Sequence, residues 1–357
     1  MAKVTLKDIA RAVGVSPTTV SLVLNGRPCR VSQPVRQKIK DVALQKHYVP
    51  NQIARSLVSQ CSHSFGLVIP NIESRFFASL AHNIETLCRK QGYMLLITNS
   101  DGTAKNDAEL VRLLVNRGAD GIFFVASEES EADQNLVDTL EQLPCPYVMV
   151  DRFIEGLTCD SVRYDNEMGA SMAVNYLIEQ GHDHIAAMLN LNSNTGRDRL
   201  IGYKQALEDH GLTYDGSLVF ETDYFIPDAY TAAHDVLKSG VSAVFASSDN
   251  IALGLLKRIT EERLSVPKDI SVVSYDNSAA DSIFEPALTS IEQNVPELSR
   301  NAVELLMARV NAGKDAPVQG DITQRVLKPR LVIKDSVKNI NPASAHVTDS
   351  EANIALL

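Results

Sequence analysis

The sequence predicts a small all-α helix-turn-helix head followed by a larger α/β body of two parallel-sheet lobes. Three observations lead to this prediction. Residues 1–60 contain short, capped helical segments, and they hold ten Lys and Arg but only two acids. From residue 65 onward, apolar runs alternate with helical stretches in two successive rounds, which is typical of α/β domains. The length of 357 residues suits two or three domains.

The charge distribution separates the head from the body. Residues 1–60 carry a formal charge of +8, whereas the remaining 297 residues hold 24 basic and 42 acidic side chains, a charge of −18. A basic head on an acidic body favours binding of a polyanion through the head, with a body that repels it. An ordinary basic surface is the alternative interpretation at this point.

Several function classes lack their sequence signatures. No run approaches the roughly 20 apolar residues of a membrane span, and the N-terminal residues do not form a secretory signal. The cysteines are odd in number and without CxxC spacing, which argues against disulfides and zinc and for a reducing cytoplasm (Cys29, Cys61, Cys88, Cys145, Cys159). The common nucleotide-binding and hydrolase motifs are missing, so we predict no catalytic residue, metal or cofactor. For His182 and His184, an HxH pair, a structural turn is favoured over a metal site.

The first two helices of the head are predicted from their caps. Thr5 and Asp8 form a capping box that opens a helix to about residue 13, where Gly14 ends it. Ser16 as N-cap and Pro17 at the first helical position open a second helix to about residue 24. The turn between them is short, which predicts a helix-turn-helix whose second helix can enter the major groove of DNA.

A third helix, over about residues 34–45, is expected to support this pair. Apolar residues of the three helices have the spacing to close a small core: Ile9, Ala10, Val15, Val20, Leu24, Val35, Ile39 and Val42. The outward positions of the second helix are Pro17, Thr18, Thr19, Ser21 and Leu22. Hydroxyl groups suit phosphate oxygens, and small apolar groups suit thymine methyls, so this helix is predicted to contact DNA.

Two motifs in the head are family-specific. The run VTLKDIARAVGVSPTTVSLVLNG resembles the DNA-binding head of the lactose/galactose-repressor family of bacterial transcription regulators, and YVPNQIARSL resembles its hinge. The resemblance implies that the hinge folds into a helix on the operator and that Leu57 wedges into a flexible base step from the minor groove. It implies the following DNA-binding residues: Thr5, Ser16, Pro17, Thr18, Thr19, Ser21, Leu22, Asn25, Ser32, Asn51, Ala54 and Leu57. Leu22 stands where many members carry a guanine-reading arginine, so their operator sequences do not transfer.

The body is predicted from its recurring apolar runs. Strands are expected at 65–69, 93–97, 121–125 and 147–150, and in a second round at 184–189, 241–247 and 270–275. Helices are expected at 80–92 and 108–120, and then near 166–180, 197–210 and 249–263. The spacing suits βαβ units of about 30 residues, and the continuous apolar runs indicate strands that are buried on both faces.

Polar residues follow the predicted strands, and open parallel sheets bind ligands at the carboxyl ends of their strands. The segments are 70–71, 99–101, 151–152, 247–250 and 276–277. Their acids, amides and hydroxyls suit a polyol, and Phe76 and Phe77 could stack on a ring face. For Asp249, simple capping of the following helix is the preferred interpretation, and Asp101 is similarly ambiguous.

Residues 61–337 resemble the same family's effector-binding core, which is similar to periplasmic sugar-binding proteins. The resemblance rests on DNEMGASMAVNYLIEQGHDHIAAM, NTGRDRLIGY, SSDNIALG and SVVSYDN followed by EPALTSIEQ. It implies that Arg199 is the main effector clamp and that Asp276 accepts hydrogen bonds from ligand hydroxyls. The implied effector-binding residues are Phe76, Phe77, Asp151, Thr195, Arg199, Tyr224, Asp276 and Gln293. Family members bind sugars, sugar phosphates, purines and nucleosides, so the ligand stays open.

The domain boundaries follow from these assignments. We expect a DNA-binding head at 1–47 and a hinge helix or linker at 48–60. The first lobe should comprise 61–162 and 291–321, and the second lobe 163–290 and 322–337. Chain crossings are expected near 161–164, 289–293 and 320–323. The polar, aperiodic segment 338–357 should be a disordered tail without the heptads of a tetramerising coiled coil.

These observations predict a ligand-responsive transcription repressor of carbohydrate uptake or catabolism genes. It should bind double-stranded operator DNA as a cytoplasmic homodimer, answer allosterically to a sugar or sugar phosphate between its lobes, and have no membrane partner and no enzymatic activity. The alternatives are a solute-binding protein of a transporter and a hydrolase that uses the cleft. The basic head counts against the first, and the lack of a nucleophile–base pair counts against the second. A global regulator with a phosphoprotein co-effector stays open.

Overall fold

The structure is a computed structural model that describes residues 4–49, 61–128, 133–278, 285–313 and 321–341. It divides into two compact units, Met1–Ser62 and His63–Leu357, which are called the head and the body here. The predicted hinge residues Asn51, Ala54 and Leu57 lie outside the described residues, as do residues 342–357 of the predicted tail. In the part of the chain that is described, no helix is long and apolar enough to cross a membrane.

The head contains the three predicted helices, α1 (Leu6–Val13), α2 (Pro17–Leu24) and α3 (Gln33–Gln45). The Asp8 carboxylate accepts hydrogen bonds from the Thr5 backbone N–H at 3.0 Å and from its hydroxyl at 2.7 Å. Gly14 ends α1 with a φ of +82°, which favours glycine. Ser16 caps α2 by accepting from the Thr19 N–H at 3.1 Å. The helix boundaries were predictable because these caps are local interactions.

The core of the head differs in part from the predicted set. Its fully buried residues are Ile9, Ala10, Val20, Val23, Ile39 and Ala43. Val15, Leu24, Val35 and Val42 are only partly buried and surround this cluster. Val23 lies one helical turn after Val20, and Ala43 lies one turn after Ile39. The buried faces of α2 and α3 are therefore shifted relative to the predicted ones.

The body begins with the first lobe. Its elements are β1 (Ser64–Ile69), α4 (Arg75–Lys90), β2 (Met94–Asn99), α5 (Ala104–Asn116), β3 (Gly121–Phe124), α6 (Gln134–Glu141), β4 (Tyr147–Val150) and β5 (Asp160–Tyr164). The second lobe follows with α7 (Asn166–Glu179), β6 (Ile185–Leu189), α8 (Asn194–Asp209), β7 (Val219–Glu221), α9 (Ile226–Lys238), β8 (Ala243–Ala246), α10 (Asp249–Glu261), β9 (Ser271–Asp276) and β10 (Thr289–Glu292). The last elements of the described residues are α11 (Val295–Asn311), β11 (Gln324–Leu327) and β12 (Arg330–Val332).

Each lobe is built on one six-stranded sheet. The first sheet has the order β11-β5-β4-β3-β1-β2 and is parallel throughout. The second has the order β12-β10-β9-β8-β6-β7, in which β12 alone runs antiparallel to its neighbour. The two-lobed α/β prediction is confirmed. Apolar helices cover both faces of each sheet, as a parallel sheet requires.

Three connections link the lobes, from β5 to α7, from β10 to α11 and from β11 to β12. The third lies after residue 327 and not near 320–323 as expected, because β11 pairs in parallel with β5 of the first sheet. The prediction that residues 322–337 belong wholly to the second lobe is therefore wrong. A short edge strand can join either sheet, and its sequence does not say which.

One predicted strand is less buried than its apolar sequence indicates. β2 lies at the edge of the first sheet, and Met94 at its start is 61% exposed. The strands β1, β3, β4, β6 and β8 are buried along their whole length, as expected. Edge position, which depends on long-range pairing, makes the difference.

His182 serves a structural role in the turn before β6. Its Nδ1 lies 2.9 Å from the Ser242 hydroxyl and its Nε2 lies 3.1 Å from the Lys338 carbonyl oxygen. Burial lowers the pKa of His182. These contacts attach the chain that follows β12 to the second lobe, in agreement with a structural interpretation of the HxH pair.

Candidate ligand site and nucleic-acid interface

A cavity of about 780 Å³, open mouth included, lies between the two lobes. It forms where the carboxyl ends of β1, β2 and β4 face those of β8 and β9, the place where open parallel sheets bind ligands. All eight predicted effector-binding residues line it: Phe76, Phe77, Asp151, Thr195, Arg199, Tyr224, Asp276 and Gln293. Their role in binding stays a prediction, but the structure does bring them together.

The backbone turns sharply where the strands end at this cavity. Asp101, Asp151 and Asp276 have φ values of +53°, +67° and +89°. Aspartate tolerates this left-handed region better than most residues, because its short polar side chain can bond locally. The turns present carboxylates from both lobes to the same space.

Arg199 is 3% exposed and makes most of its contacts within the second lobe. Its Nε donates to Asn166 Oδ1 at 2.9 Å, and its Nη1 donates to the Ser247 carbonyl oxygen. The guanidinium lies 3.6 Å from the centre of the Tyr275 ring, and Nη2 lies 4.0 Å from the Asp276 carboxylate. Arg199 therefore organises the second-lobe wall of the cavity, with its Nε and Nη1 engaged within that lobe.

The Asp276 carboxyl has an unusual protonation equilibrium. Burial raises its pKa to about 7, and the nearby carboxylates of Asp249 and Asp151 act in the same direction. Arg199 and a hydrogen bond from Gln293 Nε2 at 2.8 Å oppose this shift. Near neutral pH the group exchanges between an acceptor-only carboxylate and a carboxyl that can donate.

Three buried polar atoms on the lining have no hydrogen-bond partner among the described residues. They are Asp151 Oδ1, Arg152 Nη1 and Gln293 Oε1. Burial raises the pKa of Asp151, although Arg152 and Arg199 favour its charged form. Because buried polar groups are nearly always paired in folded proteins, these three atoms are points at which a ligand or a water molecule can form hydrogen bonds.

The two phenylalanines are largely buried where they line the cavity. Phe76 and Phe77 are buried in the core of the first lobe and meet edge to face with centroids 5.3 Å apart. The Arg152 guanidinium lies over the Phe77 ring at 5.4 Å and over the Tyr224 ring at 5.1 Å. Arg152 thus covers one face of the Phe77 ring, and stacking of either phenylalanine on a ligand stays a prediction.

A group of hydroxyls lies at the start of α8. Tyr224 Oη is 3.2 Å from both Ser193 Oγ and Thr195 Oγ1, and Ser193 caps the helix through the Gly196 N–H at 3.0 Å. Hydroxyl groups both donate and accept hydrogen bonds, so this group can pair with a donor or with an acceptor of a ligand.

The capping interpretation of Asp249 is wrong. Ser248 caps α10, whereas the Asp249 carboxylate accepts hydrogen bonds from the Ser278 N–H and hydroxyl at 2.7 and 2.9 Å. Similarly, Thr103 caps α5 and leaves Asp101 on the cavity wall. The ends of β2 and β8 thus each supply both a cap and a lining carboxylate, which the sequence order alone did not separate.

Sequence reasoning missed several lining residues. Arg152 was recognised at a strand end but was not assigned to the site, and Ser74, Gly102, Glu128, Phe225 and Ser278 were not recognised as lining residues. Arg152 had a usable signal, since it follows Asp151 directly after β4. The others lie on loops whose path depends on tertiary structure.

In the head, the predicted DNA-contacting residues of α2 form a polar surface. Ser16, Pro17 and Thr18 are exposed, whereas Thr19, Ser21 and Leu22 are half-buried. Thr5, Asn25 and Ser32 are exposed as well. The Asn25 Nδ2 donates to Ser21 Oγ at 3.2 Å, which orients the end of this surface. Small polar groups on a short, capped helix are compatible with close approach to a groove.

Two family matches cover the head and part of the body. Residues 5–51 match the family described as "Bacterial regulatory proteins, lacI family", and residues 174–337 match the "Periplasmic binding protein-like domain". Two relatives carry the description "HTH-type transcriptional repressor PurR". The one from Vibrio atlanticus (strain LGP32) is 32% identical over 342 residues, covering 94% of this chain and 99% of the relative. The one from Glaesserella parasuis serovar 5 (strain SH0165) has the same identity and coverage.

Solved structures share the architecture. The "transcriptional regulator CelR-cellobiose complex" has a TM-score of 0.69 and 27% identity, covering 94% of this chain and all of the other. A LacI family regulator from Enterococcus faecium with bound ribose has a TM-score of 0.69 and 26% identity, covering 78% of this chain and all of the other. The lac repressor dimer bound to operator and the anti-inducer ONPF, 24% identical, has a TM-score of 0.83 and shares the fold over 94% of this chain and all of the other.

Proposed function

Because this chain belongs to the lacI family of bacterial regulatory proteins, we propose that it represses genes of carbohydrate uptake or catabolism in response to a small molecule. As a member of this family, the chain is a DNA-binding transcription repressor and not an enzyme. We further propose that its effector is a sugar and that this effector binds between the lobes. The protein would act as a homodimer in the bacterial cytoplasm.

The observation that carries this proposal is the set of unpaired buried atoms on the cavity wall. Asp151 Oδ1 and Gln293 Oε1 are acceptors, and Arg152 Nη1 is a donor. A ligand rich in hydroxyl groups can donate to the first two and accept from the third. Sugars have this property, and the ribose and cellobiose complexes of the structural relatives are in keeping with it.

The charge of the cavity favours an unphosphorylated sugar over a sugar phosphate. Five carboxyl groups line it, those of Asp101, Glu128, Asp151, Asp249 and Asp276, against the two guanidinium groups of Arg152 and Arg199. Arg199 is largely engaged by Asn166 and Ser247, so it cannot offer a free fork to a phosphate. A dianion in this space would meet net repulsion.

A purine base is the second candidate, because the relatives carry the name PurR, which refers to purines. A neutral base would also donate N–H groups to Asp151 and Gln293, and the Phe225 ring on the lining could contact its face. Sugars and purine bases differ in the number of hydrogen-bond donors that they present, so an experiment with both kinds of ligand can distinguish them.

For the DNA interaction, we propose that two heads bind the two halves of a near-palindromic operator. One small module buries too little surface for tight specific binding, and a two-fold dimer doubles it. We assign residues 1–47 to the DNA-binding head and residues 48–60 to the hinge. In sequence the hinge directly precedes the first lobe, so a ligand that prefers one arrangement of the lobes can change operator affinity. Such couplings amount to about 1–3 kcal/mol.

A gel shift on the DNA upstream of the protein's own gene tests the proposal. The titration is repeated with D-ribose, cellobiose, D-glucose 6-phosphate and hypoxanthine. A change of operator affinity with either unphosphorylated sugar supports the proposal, whereas a response to hypoxanthine alone supports the second candidate. A response to the phosphate ester alone contradicts the charge argument. Lack of any specific shift would contradict repression at this DNA.

A further inference from the structure

We propose that Arg152 holds the two lobes together across the cavity and also selects the ligand by donating a hydrogen bond to it. The second half of this inference rests on the proposed function, whereas the first half concerns the protein without ligand. Arg152 directly follows β4, at the carboxyl end of a first-lobe strand, and is 7% exposed.

The ring contacts of Arg152 join opposite lobes. Phe77 belongs to α4 of the first lobe, and Tyr224 lies between β7 and α9 of the second. The guanidinium carbon is 5.4 Å from one ring centre and 5.1 Å from the other. Among the described residues, the other cation–ring contacts stay within one lobe, including those of Arg163 and Arg199. A cation between two desolvated aromatic faces contributes favourably on each side.

The polar edge of the same guanidinium is left for a ligand. Arg152 Nη1 is buried without a hydrogen-bond partner, although the acidic side chain of Asp151 is its neighbour in sequence. Within the described residues Arg152 takes part in no ion pair, unlike Arg199, which contacts Asp276. Leaving a buried charged donor unpaired is costly, so an acceptor oxygen or nitrogen from a ligand would remove this cost.

The next residue makes a second contact between the lobes. The Phe153 carbonyl oxygen accepts a hydrogen bond from Asn194 Nδ2 at 2.5 Å, at the start of α8. Arg163 lies 4.1 Å over the Phe153 ring and belongs to the same lobe as Phe153. The segment 152–153 thus reaches the second lobe through one side chain and one carbonyl group.

This geometry depends on properties of arginine that lysine lacks. A planar guanidinium can lie flat between two rings and still direct N–H groups along its edge. A lysine ammonium keeps the charge but provides no flat face for two rings at once. Arg152→Lys therefore separates charge from shape, and Arg152→Ala removes both.

The first experiment measures lobe contact without any ligand, by hydrogen–deuterium exchange of the wild type, Arg152→Lys and Arg152→Ala. We expect both variants to exchange several-fold faster in the second-lobe segments 193–199 and 224–226. Lys204→Ala is the control, because Lys204 also covers an aromatic ring, that of Tyr214, but its contact stays within the second lobe and away from the cavity. Its exchange in these segments should equal that of the wild type. Unchanged exchange in Arg152→Ala would overturn the interlobe role.

The second experiment measures selection with D-ribose, cellobiose and hypoxanthine as probes in calorimetric titrations. A probe that binds the wild type should bind Arg152→Lys at least about tenfold more weakly. The loss of a hydrogen bond from a charged donor corresponds to at least that change in the dissociation constant. Equal affinity would overturn the selective role. If no probe binds the wild type, the proposed effector class and the selective role both fail for these ligands, while the exchange experiment still decides the interlobe role.

Discussion

Replacing Arg199 with alanine should destabilise the body strongly. The substitution removes the hydrogen bonds to Asn166 Oδ1 and the Ser247 carbonyl, and the stacking on Tyr275 at 3.6 Å. It also leaves the Asp276 carboxyl without its nearest cation. Breaking a buried ion pair by removing one partner costs about 3–5 kcal/mol, and we expect a loss of that size in the free energy of unfolding.

The loss should depend on pH in a defined direction. The raised pKa of Asp276, about 7, means that the folded protein holds a proton that the unfolded chain releases near pH 4. The stability linked to this group is present in full at low pH and is lost as the pH rises through the folded pKa. Arg199 lowers that pKa, so its removal raises the pKa further. The variant should therefore lose more stability relative to the wild type at pH 8 than at pH 5.

Urea unfolding followed by circular dichroism at both pH values measures this difference. Lys204→Ala serves as the control, because it removes a cation–ring contact, with Tyr214, away from the cavity. In the double variant Arg199→Ala/Asp276→Asn, the added pH dependence should vanish. A loss under about 1 kcal/mol, or an equal loss at both pH values, would refute the reasoning about this network. Operator complexes of the folded variant should also no longer respond to a ligand that acts on the wild type.

Three predictions concern DNA. Leu57→Ala should weaken operator binding by a few kcal/mol at most and leave ligand affinity and unfolding unchanged, because the wedge acts only on bent DNA; unaltered affinity in gel shifts would count against the hinge resemblance. Operator affinity should fall steeply between about 50 and 200 mM salt, since the +8 head releases counterions from phosphates, and a flat titration would exclude this use of the head. Footprinting should show protection of a near-palindrome by a dimer, and protection of one asymmetric half-site would contradict the two-fold arrangement.

Much of the fold follows from short-range chemistry. The caps at Thr5 and Ser16 predict the starts of α1 and α2, because an N-cap acts on residues within one helical turn. The apolar runs predict the buried central strands for a similar reason. A continuous apolar run indicates burial on both faces, whichever strands lie beside it. The eight predicted effector-binding residues came from the family resemblance, and of these only Asp151 and Asp276 also follow from the rule that open parallel sheets bind ligands at the carboxyl ends of their strands.

The errors share a different physical origin. The exposure of Met94 and the sheet joined by residues 324–327 depend on which strands lie at the edges of the sheets. The contacts of Asp249 with Ser278 and of Arg152 with Tyr224 join residues far apart in the chain. No local pattern reports such pairs.

The sequence by itself determined the two kinds of unit, their order, the capped helices of the head and the strand ends that carry polar groups. These features depend on charge, periodicity and capping, which act over a few residues. Only the tertiary structure decided that the N–H groups of Arg199 donate mainly within the second lobe. The same holds for the position of Arg152 over aromatic rings of both lobes. A guanidinium can pair with a carboxylate, a carbonyl or a ring, so packing and not the neighbours in sequence decides which partner it has.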